Sequence, residues 1–587
     1  MPRNKHPLSI FIFFLLIHVC TAQTSILERS LAINVVNEPL GDVLKFVSQK
    51  ANFYLSYNAN ILDGNKKVSL KLDNSNVRTV YKSLLGNNFQ FKQKGNYLII
   101  QKLKANQQLI GGYISDDKTG KKIPNATVYD RKSLASATTD SYGYYEILTR
   151  KPIEKLTVSR LNYGDTVLTL RSIEPQKALE IDVSLLQKGK IDTTERKNEP
   201  LNNIIKISDK EDTGDEYRER TLLSNGEIST ALSNIVKTFE RVNEDNIEAP
   251  IKRTGHFSIA PYVGSNFGLS GSVINKWSFN TTVGYSNGNE GLEIGLLGNI
   301  NKRNVKGIQL GGLFNIVNGS MKGFQASSIL NRTQRATGVQ VSLVTNSTDT
   351  LWSGWQFAGI NNSTDYAKLG SFQFAGIVNR DANGRMFMQA ATFHNKADTV
   401  IAQFGFINKA RHLKGLQIGL INIADTTSGV MLGIINIVRK GYHVLEASAN
   451  DLTYTNVAYR TGTRWFYSIY HLGFAPNFSD KKSLFTIGGG LGSSVWFSKR
   501  LGITLDATIH KPVVDNSISN EDWLLRGTPA LNIQLTPKIG IAIAPVFNAY
   551  RVNPLDEIAI NRIVPNSAKV DGNWRTWWGW TVAARFF

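Results

Sequence analysis

Of the eight histidines in the chain, six lie beyond residue 22: His256, His394, His412, His443, His471 and His510. None stands four residues from another, and no His-Glu-x-x-His run or carboxylate cluster accompanies them. Neither a zinc hydrolase nor a general acid–base pair is indicated. Gly488-Gly489-Gly490-Leu491-Gly492 has the glycine density of a phosphate loop. No Lys-Ser/Thr follows it and no helical pattern begins there, so small residues facing a lumen explain it better. Asn-x-Ser/Thr triplets such as Asn331-Arg332-Thr333 belong to a repeat and its turns. Cys20 is the only cysteine, so removal of the N-terminal segment would exclude disulfides, thiol catalysis and thiolate metal sites. The chemistry-bearing residues predict no enzyme, no cofactor and no metal site.

What does recur is amides, in a pattern close to G-x-Q-x-[GA]-x-x-N. The Gln position falls at Gln309, Gln325, Gln340, Gln356, Gln373, Gln389, Gln403 and Gln417, with Glu293 before them, Met431 after, and spacings of 14 to 17 residues. Asn follows five or six places later, at Asn299, Asn315, Asn331, Asn346, Asn362, Asn379, Asn395, Asn408, Asn422 and Asn436. A membrane strand needs ~9–11 residues, which leaves about five of each ~15-residue unit for a turn. Trp355 and Phe357 alternate with Gln356 and Ala358, and Leu416 and Ile418 with Gln417 and Gly419. One face is bulky and apolar and the other polar or small, as in an outer-membrane barrel with lipid outside and the eight Gln facing the lumen. The alternative is a β-solenoid, each repeat one coil and the Asn stacked in a ladder. There the apolar face would fill a dry interior and the Gln would meet water. Wobbling spacing and non-repetitive flanking strands favour the barrel; the lack of difference between odd and even turns favours the solenoid. The repeats resemble the surface-repeat families of bacterial outer-membrane proteins.

The repeats, residues 291–438, sit within a β-rich stretch, 255–587, whose later alternations lengthen at 485–497, 501–510, 530–535 and 539–550. This whole stretch is expected to form one large antiparallel outer-membrane β-barrel. Its last strand ends on Phe586 and Phe587, similar to the terminal aromatic signal read by the barrel assembly machinery, although Arg585 departs from the usual apolar spacing.

Ahead of it lie smaller units. Residues 1–22 read as a signal peptide: Arg3 and Lys5, an apolar run from Leu8 to Val19, then Cys20-Thr21-Ala22. In 26–103, Leu31, Ile33 and Val35 alternate at strand period, and Leu40, Val43, Leu44 and Val47 recur at helical spacing after Pro39. A second helix carries Val77, Val80, Tyr81 and Leu84 and stops at Gly86, and a hairpin turns at Lys94-Gly95. This predicts a small α+β unit of two helices against a short sheet. Leu40-Gly41-Asp42-Val43-Leu44, Val68-Ser69-Leu70 and Tyr97-Leu98-Ile99-Ile100 resemble the STN domain of secretins and TonB-dependent transducers. That resemblance implies a periplasmic location and contact with a partner such as an inner-membrane anti-sigma-type regulator.

Residues 109–186 predict a sandwich of about seven short strands, with a tight turn at Asp140 to Gly143. Gly112-Tyr113-Ile114-Ser115-Asp116, Ile123-Pro124-Asn125-Ala126-Thr127-Val128 and Leu161-Asn162-Tyr163-Gly164 resemble the carboxypeptidase regulatory-like domain, a transthyretin-like β-sandwich. That family carries no protease site. Residues 187–254 are charge-rich and read as a linker, interrupted by one amphipathic stretch (Ile228, Leu232, Ile235, Val236, Phe239) behind a capping box at Ser224 and Glu227. Nothing there has the length or pattern of a TonB-dependent plug.

The formal charge of +21 is spread along the chain and not gathered on an aromatic-interleaved face. Attraction to anionic lipid or polysaccharide is expected, and no nucleic acid. The sequence therefore predicts a mainly β, non-enzymatic outer-membrane β-barrel protein with periplasmic interaction domains, for envelope signalling or partner docking. The alternatives are a passive channel with a Gln-lined lumen and a surface adhesin or structural solenoid. Outer-membrane lipid and the assembly machinery are its expected partners.

Overall fold

The computed structural model describes residues 25–170, 176–188, 242–476, 482–515, 522–552 and 557–587. The expected signal peptide and the amphipathic stretch near 224–239 lie outside the described residues. The chain falls into two compact units: the first holds the N-terminal domains and the second the large β-domain.

In the first unit, Pro39 fixes the chain at the head of helix Leu40–Lys50. The Asn76 side chain caps Val77–Leu85 by accepting from the Thr79 N–H at 2.9 Å. Gly86, at φ 76°, stops that second helix. The helices bury Val43, Leu44, Val47, Val80 and Tyr81 against Leu98 and Ile100. The expected single sheet is two: Ser30–Pro39 pairs with Lys67–Asn76, and Tyr97–Lys102 sits between Tyr54–Tyr57 and Phe89–Lys94.

The sandwich that follows has eight strands in two four-stranded sheets over a core of Ile110, Ile114, Val128, Tyr145, Leu156 and Val158. Its tight turn forms where expected. Asp140 accepts from the Tyr142 and Tyr144 N–H groups at 2.9 Å, and Gly143 adopts φ 75°. The two domains are joined through Glu28, which holds Arg78 at 3.0 Å and Tyr113 at 2.9 Å, while the Arg78 guanidinium lies 3.4 Å over the Tyr144 ring. Residues 242–250, expected as part of a solvated linker, instead dock on the sandwich. The Asn246 amide donates to Asn125 O at 2.7 Å and accepts from Leu161 N at 3.0 Å, so its backbone-like bonding extends the sandwich surface.

The β-rich stretch is two architectures, and this corrects the expectation of one barrel holding the repeats. Strands from Ile251–Ala260 to Ile435–Val438 form one eighteen-stranded sheet wound as a β-solenoid. From Val273–Asn280 onward, neighbouring coils pair in parallel, and the register places Gln309 beside Gln325, Gln340 and Gln356 in turn. Parallel stacking sets each residue on its counterpart one coil away, so odd and even turns cannot differ. Gly307, Gly323 and Gly338 adopt φ of 128°, 131° and 119°, and a Cβ at Gly323 would lie 2.1 Å from Gly307 O. The glycine of the repeat is required by that close coil-to-coil approach.

The barrel is confined to eight strands: Tyr442–Asn450, Thr455–Gly462, Tyr467–Ala475, Leu484–Trp496, Leu501–Val514, Trp523–Gln534, Ile539–Arg551 and Trp574–Phe586. Each is antiparallel to its neighbours, and the last closes on the first through pairs such as Ala447 with Ala584. Three connections at one end, 463–466, 497–500 and 535–538, are all short; the opposite end carries the equally short 451–454 and the longer 476–483, 515–522 and 552–573. No described helix is long and apolar enough to cross a membrane.

Candidate functional site

The eight glutamines singled out by their spacing are brought together, but not in a barrel lumen. All are fully buried inside the solenoid, as are the asparagines from Asn299 to Asn422. From Gln325 onward each Gln Nε2 donates to the Gln Oε1 of the preceding coil, at 2.8 Å from Gln325 to Gln309, 2.9 Å from Gln356 to Gln340 and 2.6 Å from Gln417 to Gln403. The Asn ladder runs the other way. Asn299 donates to Asn315 at 2.9 Å, Asn346 to Asn362 at 2.9 Å and Asn422 to Asn436 at 2.8 Å. The second hydrogen of each Asn amide reaches a backbone carbonyl across the coil, as from Asn346 to Phe357 O at 2.7 Å. Side-chain dipoles in the two ladders are thus opposed. Both earlier orientations are corrected here: the Gln face neither an aqueous lumen nor open water. The physical reason is that stacked amides ~4.8 Å apart satisfy each other completely, so a polar interior costs little.

The ladders end at identifiable residues. Glu293 accepts from Gln309 Nε2 at 2.8 Å at the start. Full burial raises its carboxyl to about 7 against the stabilising bonds from Gln309 and Asn301. At the other end Met431 sits in register with Gln417, offers no donor, and leaves Gln417 Oε1 without a partner. Beside the Gln ladder, Thr348 and Thr364 donate to Gln340 and Gln356 at 2.9 and 3.2 Å. Asp381 takes the next place in that threonine row. Burial, reinforced by the neighbouring Asp398 carboxylate, raises Asp381 to about 8.

A second polar system fills the barrel, and nothing in the spacing of its residues announced it. Arg460 lies 2.7 Å from Glu446 and 2.9 Å from Asp506, and Arg585 lies 2.7 Å from Glu446. Tyr467 donates to Asp506 at 2.6 Å. Arg585, out of place as part of a terminal signal, is an inward position of the last strand and a member of this network. Toward the opposite end of the barrel, Arg526 donates to Asn548 at 3.0 Å and pairs with Asp451, in the 451–454 connection, at 3.5 Å. The space left among these groups is only about 40 Å³.

Gly488, Gly490 and Gly492 are the inward residues of one strand, and their missing side chains make the room. A Cβ at Gly488 would lie 2.4 Å from His510 Nδ1, and one at Gly492 would lie 2.2 Å from Asp506 Oδ1. Two histidines meet here, His471 and His510, with ring centroids 4.7 Å apart. The other four are dispersed: His256 lies against Ser265, His412 against Thr426 and His443 against Tyr459, and His394 heads a solenoid strand. Among the described residues no group of three His, Cys, Asp or Glu is arranged to hold a metal.

The outside of the barrel is the reverse of its inside. Leu472, Ile487, Leu505, Ile543 and Trp578 are exposed; Ile487 follows the buried Thr486, Leu505 lies between the buried Thr504 and Asp506, and Ile543 lies between the small, buried Ala542 and Ala544. Phe586 belongs to this outer face, paired with Leu445 and Ile539. Phe587 turns back against Tyr442 and Trp496, at centroid distances of 6.2 and 6.1 Å. The chain matches no family profile and no curated protein sequence.

Proposed function

We propose that the protein is a non-enzymatic outer-membrane β-barrel protein whose N-terminal domains lie in the periplasm and dock a partner there. The observation that carries this reading is the closed eight-stranded barrel with an apolar exterior and an ion-paired interior. A water-soluble barrel has the opposite polarity, and apolar belts of this extent meet lipid. A 13-residue strand such as Ile539–Arg551 rises ~3.4 Å per residue, so at ~40° tilt it spans about 34 Å, enough for the ~25 Å apolar band. The filled interior favours an anchor over a passive channel. Short turns conventionally lie on the periplasmic side, which puts Tyr442, where the solenoid enters the barrel, on that side too. The STN-like and carboxypeptidase-regulatory-like resemblances fit periplasmic domains that touch a partner, an inner-membrane anti-sigma-type regulator being the kind implied. The barrel assembly machinery is the partner expected at Phe586 and Phe587.

The test is fractionation of the full-length protein. It should sediment with outer membranes, resist urea and alkaline extraction, and migrate faster in detergent gels before heating than after. Recovery in the soluble periplasmic fraction would overturn the reading.

A further inference from the structure

We infer that the solenoid is itself a membrane-contact element, lying sideways from the barrel with its apolar flank in the acyl region of the adjoining leaflet. This rests on the reading of the barrel as membrane-embedded.

The first observation is how the solenoid ends. Tyr470 OH accepts from Asn436 N–H at 2.9 Å and donates to Ile434 O at 2.9 Å, while the Asn436 amide donates to Ser468 Oγ at 2.6 Å. Inter-coil hydrogen bonds run along the stacking axis, so Tyr470 and Ser468 stand where the next coil would be. Both are outward positions of their strand, since Ile469 and His471 between and beside them point inward. The stack of coils therefore abuts the outer wall of the barrel, the wall that meets lipid, and its exposed edge is closed there.

The second observation is the flank. On either side of each Gln the outward residue is apolar from Ile308 to Leu432, with no charge among them. Ile308, Phe324, Trp355 and Ile418 are all exposed, and Trp355 stacks on Phe372 at 4.5 Å. Between Phe357, Phe374 and Phe404 runs an apolar furrow of about 730 Å³ floored by Ala358, Ala375 and Gly405. A soluble monomer rarely exposes so continuous an apolar surface.

The third observation is where the charge goes. Residues 301–440 hold 15 Lys and Arg against five Asp. Lys306, Lys322, Lys368 and Lys414 border the apolar row, and Arg332, Lys396 and Lys409 lie on the Asn-bearing strands. An apolar face with a basic rim is the composition of interfacial elements that sit ~5–10 Å into the headgroup boundary of anionic membranes. Continuity with the lipid-facing wall makes lipid the occupant, rather than a second copy of the chain.

The experiment uses the full chain in a Cys20→Ser background, reconstituted in vesicles that contain anionic phospholipid. Single cysteines at Phe374, Ile418, Lys409 and Ile509 carry a fluorophore, and lipids bear a nitroxide near the headgroup or near the chain end. Folding of each variant is checked by its heat-modifiable migration. Ile509, in the middle of the barrel belt, should be quenched most by the chain-end nitroxide. Labels at Phe374 and Ile418 should be quenched several-fold more than the label at Lys409, and most by the headgroup-proximal nitroxide. Quenching at Ile509 without quenching at Phe374 and Ile418 would overturn the inference and leave the barrel reading standing. Equal quenching at Lys409 would overturn the orientation. No quenching at Ile509 would remove the barrel reading, and the inference with it.

Discussion

The solenoid and the barrel share an alternation, apolar outward and polar inward, but solve the buried-polar problem with different chemistry. In the solenoid, parallel register sets Gln on Gln and Asn on Asn, and a primary amide is both donor and acceptor, so identical residues complement each other. In the barrel, antiparallel neighbours bring unlike residues together, and Glu446 and Asp506 face Arg460 and Arg585. A ladder of identical charges would repel, and a ring of unrelated amides would lack partners. Topology thus selects which polar residues can be buried. Losing one member should then cost more in the barrel, where a charge is stranded, than in the solenoid, where a neutral amide is.

The largest expected effect tests that directly. Arg460→Met leaves Glu446 and Asp506 to share Arg585, and breaking a buried pair from one side costs ~3–5 kcal/mol. Urea unfolding of the detergent-folded protein, followed by loss of the heat-modifiable form, should show a drop of that order. Adding Asp506→Asn should recover much of it. An unchanged midpoint for Arg460→Met would remove the ionic network from the account.

Glu293 is the one place where a charge enters the ladder, and pH reads it. Its folded value, about 7, lies above the ordinary 4.5. A raised carboxyl binds its proton more tightly folded than unfolded, so the advantage is complete below about pH 4.5, shrinks as pH rises, and is gone above pH 7. The difference amounts to at most about 3 kcal/mol. Hydrogen exchange of amides in strands Gly288–Gly295 and Val305–Gly311 should speed up between pH 5 and pH 8 beyond the intrinsic rate change. Glu293→Gln should abolish that excess, because a Gln there continues the ladder in its neutral form.

Mid-ladder, Gln356→Leu removes bonds to Gln340, Gln373, Thr348 and Thr364 at once while keeping the volume. Stranded neutral groups cost about 1–3 kcal/mol. Faster exchange confined to the adjoining coils is expected, with the barrel untouched. A loss as large as that of Arg460→Met would show that topology does not set the scale.

Much of this molecule is legible in sequence, and the limits are physical. Pro39 and Gly86 mark their helices because such signals act locally, and Asp140 with Gly143 marks its turn for the same reason; the Asn76 cap shows only in the structure. The Gln repeat shows that one strand face is polar, since a period of two is intrinsic to a strand. It does not show whether the neighbouring strand runs parallel or antiparallel, because alternation is identical in both. That is why barrel and solenoid compete for the repeats while the later strands are read as barrel without difficulty. The ion network is illegible because Glu446, Arg460, Asp506 and Arg585 come from strands far apart in the chain. Asn246 is illegible because its partners, Asn125 and Leu161, belong to a distant sandwich.

The smallest effect is a gain, and it sharpens the comparison most. Gln417 Oε1 is buried without a partner because Met431 occupies the Gln position of the following coil. Met and Gln have nearly the same length, and Met431 is only 4% exposed, so Met431→Gln fits the space without opening a cavity. Its Nε2 would donate to Gln417 Oε1 as Gln417 does to Gln403, adding ~0.5–1.5 kcal/mol for the completed bond. The new Oε1 would in turn be left over at the barrel-proximal end, which holds the net gain toward the lower part of that range. Slower amide exchange in Ile407–Ile418 and Val430–Leu432, with an unchanged barrel midpoint, is the expected result. Faster exchange there would mean that Met431 serves the solenoid by its contacts with Leu413, Ala424 and Val438, as an apolar plug that shields the last rung from the barrel wall.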